Sequence, residues 1–205
     1  MTLPKWKPFP REFYTPSAGI VAPLLLGQIM VSRSEGNICA ARIVEAEAYL
    51  WDDPGCHAFK GRTRRNEPMF GEEGRAYVYL IYGMYLCFNV VCCPRGVAEA
   101  VLIRGVEPVH GMEFMEKRRA VQKPEALTNG PGKLALAMGL GRHHNGIELF
   151  HDKSEVFIAR DPDWPIVKEG DPRVIRTTRI GLTLGAELPL RYYLKGNRYV
   201  SKIVP

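Results

Sequence analysis

The stretch that most limits what this chain can fold into is Ala76–Val91. Its sixteen residues carry no charge, are rich in aromatic and β-branched types, and are broken once, at Gly83. That pattern reads as two strands around a tight turn near Tyr82–Gly83. Upstream, Gln28–Arg33 and Ile38–Tyr49 read as strands joined by the turn Ser34–Asn37. Downstream, strands are expected at Val97–Val106, near Glu155–Arg160, at Arg179–Leu184 and at Leu190–Leu194. A first helix is expected with Thr15 as N-cap, Pro16 in the first helical position and Gly27 at the exit. Pro108–Ala120 and Pro131–Leu140 read as two more. Between strands, Leu50–Arg75 is polar and irregular, with Pro54, Pro68 and four glycines. A loop of that length is more often a binding or active-site loop than a plain connection.

Length and composition bound the rest. The 205 residues fit one domain at ~100–200 residues per domain. With 46% hydrophobic and 24% charged residues, disorder, collagen, coiled coil and a disulfide mini-protein are excluded. The expectation is a mixed α/β (α+β) single domain over residues 1–205, with a largely antiparallel curved sheet, flanking helices and a protruding β-hairpin. No run of about 18 apolar residues spans a membrane. Ala18–Gly27 follows Lys5, Lys7 and Arg11 and loosely imitates a signal peptide. Pro23 interrupts it and no small-x-small site follows, so export is not expected and a cytoplasmic (nucleoid) or nuclear location is. Cys39, Cys56, Cys87, Cys92 and Cys93 are odd in number and lack a C-x-x-C pair, and the histidines lack H-x-x-x-H. No metal and no cofactor are expected, only reduced, packed thiols. The formal charge of +6 permits an anionic partner without specifying one.

Four groups of residues could carry chemistry. On a strand, Glu45, Glu47 and Tyr49 share one face and Val44, Ala46 and Ala48 the other. The bland reading is a solvated strand face. The sharper one joins a glutamate to His57 in the following loop as general base and orienting donor. Tyr77, Tyr79, Tyr82 and Tyr85 cluster within nine residues. They read either as cross-strand packing or as stacking surfaces for nucleobases, and the tip position of Tyr82 favours the second. Arg104, inside the apolar run Val101–Gly105, needs a carboxylate or phosphate; Glu45, Glu47 and Glu99 are candidates. Basic residues gather at Lys60, Arg62, Arg64 and Arg65, at Lys117–Arg119, and in the tail. There Arg173, Arg176, Arg179, Arg191, Lys195, Arg198 and Lys202 face only Asp171 and Glu187, which makes five of the six net positive charges. Such clusters suit DNA backbone contacts or plain solvation. Gly130–Lys133 lacks P-loop spacing, yet could cup one phosphate.

Taken in order, these residues resemble the alkyladenine (3-methyladenine) DNA glycosylase family. The resemblance rests on R-I-V-E-A-E-A-Y at Arg42–Tyr49, R-N-x-x-M-F at Arg65–Phe70 and Y-V-Y-L-I-Y-G-M-Y at Tyr77–Tyr85 with Asn89. V-L-I-R at Val101–Arg104, E-P at Glu107–Pro108, N-G-P-G-K-L at Asn129–Leu134 and R-I-G at Arg179–Gly181 complete it. It runs from about Phe13 to the C-terminus. It implies a hairpin that enters the minor groove of double-stranded DNA, and excision of alkylated or deaminated purines (3-methyladenine, hypoxanthine, ethenoadenine class) by a monomer. Glu47 matches the general base that activates water, Arg104 the partner that holds the water, and the Ile180 backbone a third contact. Tyr82 matches the intercalating side chain. Tyr49, His57 and Tyr79 match the walls around the flipped base, Asn89 the residue that crowds guanine, and Tyr77, Leu102 and Met69 supporting positions. Lys133, Gly132, Arg64 and Arg65 are taken as DNA backbone contacts. Departures fall on the pocket wall: Ala58 stands where relatives often carry Ser, and Gly55-Cys56 precede His57. No lysine lies between Lys60 and Lys117, so no amine nucleophile and no lyase step are expected. The alternatives are a non-catalytic nucleic-acid-binding module and a carbohydrate hydrolase using Glu45 and Glu47. The latter is disfavoured because carboxylates side by side cannot flank a bond.

Overall fold

The computed structural model describes residues 6–121, 123–168 and 170–203. In chain order the strands are β1 (Ile29–Ser34), β2 (Asn37–Tyr49), β3 (Ala76–Ile81), β4 (Tyr85–Cys92), β5 (Glu99–His110), β6 (Val156–Ala159), β7 (Val174–Thr177) and β8 (Arg191–Leu194). The helices are α1 (Ala18–Leu25), α2 (Met112–Arg119) and α3 (Pro131–Ala137). All strand pairings are antiparallel in one curled sheet of order β3-β4-β5-β2-β1-β6. The long β2 changes partner along one edge: Asn37–Arg42 pairs with β1, and Glu45–Glu47 with β8, which in turn carries β7. This is the α+β architecture expected from the sequence.

Period-2 alternation sorts the sheet into two faces. Val44, Ala46 and Ala48 of β2, Val78 of β3, Phe88 and Val90 of β4, and Val101 and Ile103 of β5 face the main core. Against them α1 lays Ala18, Val21, Ala22 and Leu25, and α3 lays Leu134, Ala135 and Ala137. Each fully buried Val or Leu contributes roughly 1.5–3 kcal/mol, so this face holds the domain together. The opposite face carries the polar and aromatic residues described below.

The first helix begins at Ala18, later than the sequence suggests. Ser17, not Thr15, is its N-cap, accepting from the Gly19 amide, and Glu99 accepts the Ala18 amide at 2.8 Å and the Ser17 hydroxyl at 2.7 Å. A carboxylate at a helix N-terminus satisfies orphan donors that a threonine alone cannot. Glu99 is thereby committed to α1, and is no partner for Arg104. Pro108 does not open a helix. It stays in β5, opposite Ala41 at an irregularity of the ladder, where a missing N–H is tolerated, and Gly111 (φ 72°) turns the chain into α2. Arg179–Leu184 is not a strand; β7 lies just upstream at Val174–Thr177 and the segment after it is irregular. Arg179 and Arg191, counted with the basic tail, are buried inside the protein, so they grip nothing outside it.

The hairpin tip is tight. Tyr82 (φ 52°) and Gly83 (φ 71°) are both left-handed, and the Met84 amide donates to the Ile81 carbonyl at 3.3 Å. A primed turn of this kind matches the strand twist, but left-handed backbone is strained for tyrosine. Tyr82 is 84% exposed and Met84 68%. A strained, solvated tyrosine does nothing for folding.

Candidate active site

The site grows from a double irregularity between the two longest strands. Passing along the pair, the register skips Val44 on β2 and then Arg104 on β5. Bulges of this kind re-aim side chains. Here they bring Arg104 between the two glutamates of β2. Its Nε donates to Glu45 Oε1 at 3.2 Å, and one terminal nitrogen donates to Glu47 Oε2 at 3.3 Å. Neither carboxylate is solvated; both side chains are 0% exposed. The bland reading of a wet strand face is therefore wrong. Burial of two carboxylates is tolerable only because each is heavily hydrogen-bonded.

Glu47 is held from three directions: Oε2 also accepts the Tyr49 hydroxyl at 2.8 Å, and Oε1 accepts the Ile180 amide at 2.9 Å. Burial, and then the charge of Glu47, push the Tyr49 hydroxyl well above its ordinary range, so it stays a donor. Burial works against the charge of Arg104, but Glu47 and Glu45 more than offset it. Arg104, Tyr49 and Ile180 all line one cavity of about 180 Å³.

The walls of that cavity follow strand parity. Tyr77 and Tyr79 come from β3, Asn89 from β4 and Leu102 from β5, with Met69 from the turn Glu67–Phe70. His57 enters from the long loop. Its ring centre lies 4.6 Å from that of Tyr79, edge to face, and its Nδ1 lies 3.1 Å from the Tyr77 hydroxyl. Burial, with help from Arg65, lowers the His57 pKa below 6.5, which favours the neutral ring. Asn66, of the R-N motif, pins the loop by donating to the carbonyls of His57 (2.9 Å) and Gly61 (3.0 Å). Asn89 is oriented by donating to the Tyr77 carbonyl at 2.9 Å. The sequence did not single out Ile81, Cys87 or Ala100, which also line the cavity. The signal was present, since each lies two residues from a chosen neighbour on the same strand face.

The residues taken for DNA backbone contacts lie differently. Arg64 is exposed. Arg65 covers Tyr79, its guanidinium carbon 5.1 Å from the ring centre, and donates to the Leu80 carbonyl at 3.3 Å. Lys133 donates to Asn129 at 2.8 Å, and Gly132 packs so closely on Tyr85 that a Cβ would come within 3.0 Å of it. The start of α3 is thereby pressed against the hairpin just below its tip. Among the described residues all five cysteines are unpaired and buried, and no helix is long and apolar enough to cross a membrane.

The family model for methylpurine-DNA glycosylase (MPG) matches residues 12–198. A protein of Methanoculleus marisnigri named "Putative 3-methyladenine DNA glycosylase" is 46% identical over 193 residues, 94% of this chain and 98% of its own. A protein of the same name from Carboxydothermus hydrogenoformans is 45% identical over the same shares of both chains. One from Francisella tularensis is 41% identical over 88% of this chain and 92% of its own.

Proposed function

The chain belongs to the methylpurine-DNA glycosylase family, and on that premise we propose that it extrudes a damaged purine nucleotide from duplex DNA and hydrolyses its N-glycosidic bond. The observation that carries this reading is the Glu47 carboxylate, buried and held by Arg104, Tyr49 and Ile180, all three at the wall of an aromatic cavity. A base inside a duplex hides its glycosidic carbon, so extrusion comes first and takes a few kcal/mol, least for a weakly paired lesion. Tyr82 occupies the place the base leaves. Tyr49, His57 and Tyr79 receive the base, at about 1–3 kcal/mol per stacking contact. A cationic lesion gains further from these π faces.

The chemistry is a displacement at the anomeric carbon. The bond from that carbon to the purine nitrogen breaks, and the base leaves with the electron pair. A water oxygen bonds to the carbon and gives its proton to Glu47. The carboxylate also faces the positive charge that develops on the sugar. Arg104, already tied to Glu47, fixes the direction of the carboxylate and of the water. Among the described residues no lysine lines the cavity, which supports release of the base with the DNA strand left intact. Exposed Arg64 and the other surface cations supply salt-dependent grip on phosphates.

The test is a labelled duplex with one hypoxanthine or ethenoadenine. The expected outcome is an alkali-labile site that appears with time and no strand break before alkali. A break without alkali would overturn the monofunctional reading. Binding without release from any lesion panel would favour the binding module instead. In the same assay Tyr82→Gly relieves the left-handed strain, so its thermal midpoint should equal or exceed that of the parent. Its affinity for lesion duplex should fall by about tenfold, near the value of one lost stacking contact. Unchanged affinity would remove Tyr82 from the extrusion step.

A further inference from the structure

Behind one wall of the cavity, next to its lining residues Ile180 and Gly55, lies an ion pair that does not itself line it. The side chains of Arg179 and Asp53 are 0% and 1% exposed, and they meet in a two-pronged contact, Oδ2 with one terminal nitrogen and Oδ1 with the other at 2.8 Å. The same two nitrogens donate to the carbonyls of Ala48 and Gly185, each at 3.0 Å. Arg179 thus joins the end of β2, the loop after it and the loop near Gly185. Space was made for this. A Cβ on Gly185 would sit 2.7 Å from Asp53 Oδ1, and one on Gly55 would sit 3.1 Å from the Arg179 guanidinium.

Each joined segment touches the reacting carboxylate or the cavity. The Arg179 guanidinium carbon lies 4.6 Å from the centre of the Tyr49 ring, and Tyr49 donates to Glu47. The residue after Arg179 supplies the amide that reaches Glu47 Oε1. Asp53 Oδ1 accepts the Gly55 amide at 2.8 Å, and Gly55 lines the cavity. Two of the three groups that hold Glu47 therefore depend on one guanidinium.

We propose that the Arg179–Asp53 pair is the positioning element that sets the Glu47 carboxylate, through the Ile180 amide and the Tyr49 hydroxyl. The pair touches neither the cavity nor the substrate. The inference rests on the reading of Glu47 as general base. A lysine could carry the charge of Arg179, but not the fork that serves both oxygens of Asp53 and two carbonyls at once.

The test uses Arg179→Lys and the paired change Asp53→Asn with Arg179→Met. The second removes both charges together, so no lone buried ion is left to unfold the protein. Three readouts are taken: lesion-duplex affinity, single-turnover base release, and hydrogen exchange of the Ile180 amide. Affinity should stay within about threefold, because the grip on DNA lies elsewhere. Release should fall by about a hundredfold, the loss expected when a reacting group is displaced by an ångström. The Ile180 amide should exchange faster in both variants. A folded variant with parental release, a loss of release matched by an equal loss of affinity, or parental Ile180 protection would each overturn the proposal. Amide exchange is read without substrate. Failure of the glycosylase reading, seen as no release by the parent chain, is therefore distinct from failure of this inference.

Discussion

Glu47→Gln should bind lesion duplex about as tightly as the parent, yet release base about 10²–10⁴-fold more slowly in a single turnover, the usual contribution of a positioned general base. The geometry explains why the amide cannot substitute. Three donors converge on this carboxylate: the Tyr49 hydroxyl, Arg104 and the Ile180 amide. A carboxylate accepts all three, whereas a glutamine has one acceptor oxygen and an NH₂ group. If the oxygen keeps Arg104 and Tyr49, the NH₂ faces the Ile180 N–H. One donor is then left unpaired, at about 1–3 kcal/mol. The variant therefore loses some stability as well, which urea denaturation at a fixed pH measures separately. Release within tenfold of the parent, from a protein shown to be folded, would remove Glu47 from the chemistry. A loss of affinity equal to the loss of rate would make it a binding residue.

Most of the site could be read from strand parity, because alternation is a local property. Glu45, Glu47 and Tyr49 share a face in the sequence and in the protein, as do Tyr77 and Tyr79. Arg104 was visible as a charge inside an apolar run, and the need for a carboxylate follows from burial alone. What could not be read were the pairings across long stretches of chain. Arg179 with Asp53 and Arg191 with Glu45 are separated by 126 and 146 residues. Nothing local marks these arginines off from Arg176 or Arg198, so a tail that looked like a phosphate grip keeps two of its cations for the interior. The missed strand at Arg179–Leu184 has the same cause. A strand was expected there, but Arg179 turns inward to Asp53 and the backbone that follows bends round the cavity. Pro108 misled because proline fits a first helical turn and a strand irregularity alike. Only the partner strand decides between them.

Glu45→Ala should lose about 3–5 kcal/mol of folding stability, the usual result of deleting one partner of a buried ion pair. That is a large share of the roughly 5–15 kcal/mol that holds a domain together. Glu45 serves four donors: Arg104 Nε at 3.2 Å, Arg191 Nε at 2.7 Å, the Ser201 amide at 2.6 Å and the Ser201 hydroxyl at 2.9 Å. Arg191 is itself 0% exposed and also donates to the Lys202 carbonyl. Removing the carboxylate leaves a buried guanidinium without its counter-charge and releases the C-terminal segment from the sheet. Urea unfolding should show the loss, and Glu45→Leu with Arg191→Met should recover much of it, since no isolated ion then remains. The same pair of measurements separates two roles for this residue. A second acid or base would lose rate while the fold kept its stability. An anchor would lose stability first, and its rate would fall only as Arg104 loses one of its two carboxylates. The geometry favours the anchor, because three of its four donors come from Arg191 and Ser201, which do not line the cavity, whereas all three partners of Glu47 do. Full recovery of stability with base release as slow as in Glu47→Gln, more than one lost Arg104 contact accounts for, would reverse that assignment and bring Glu45 into the reaction.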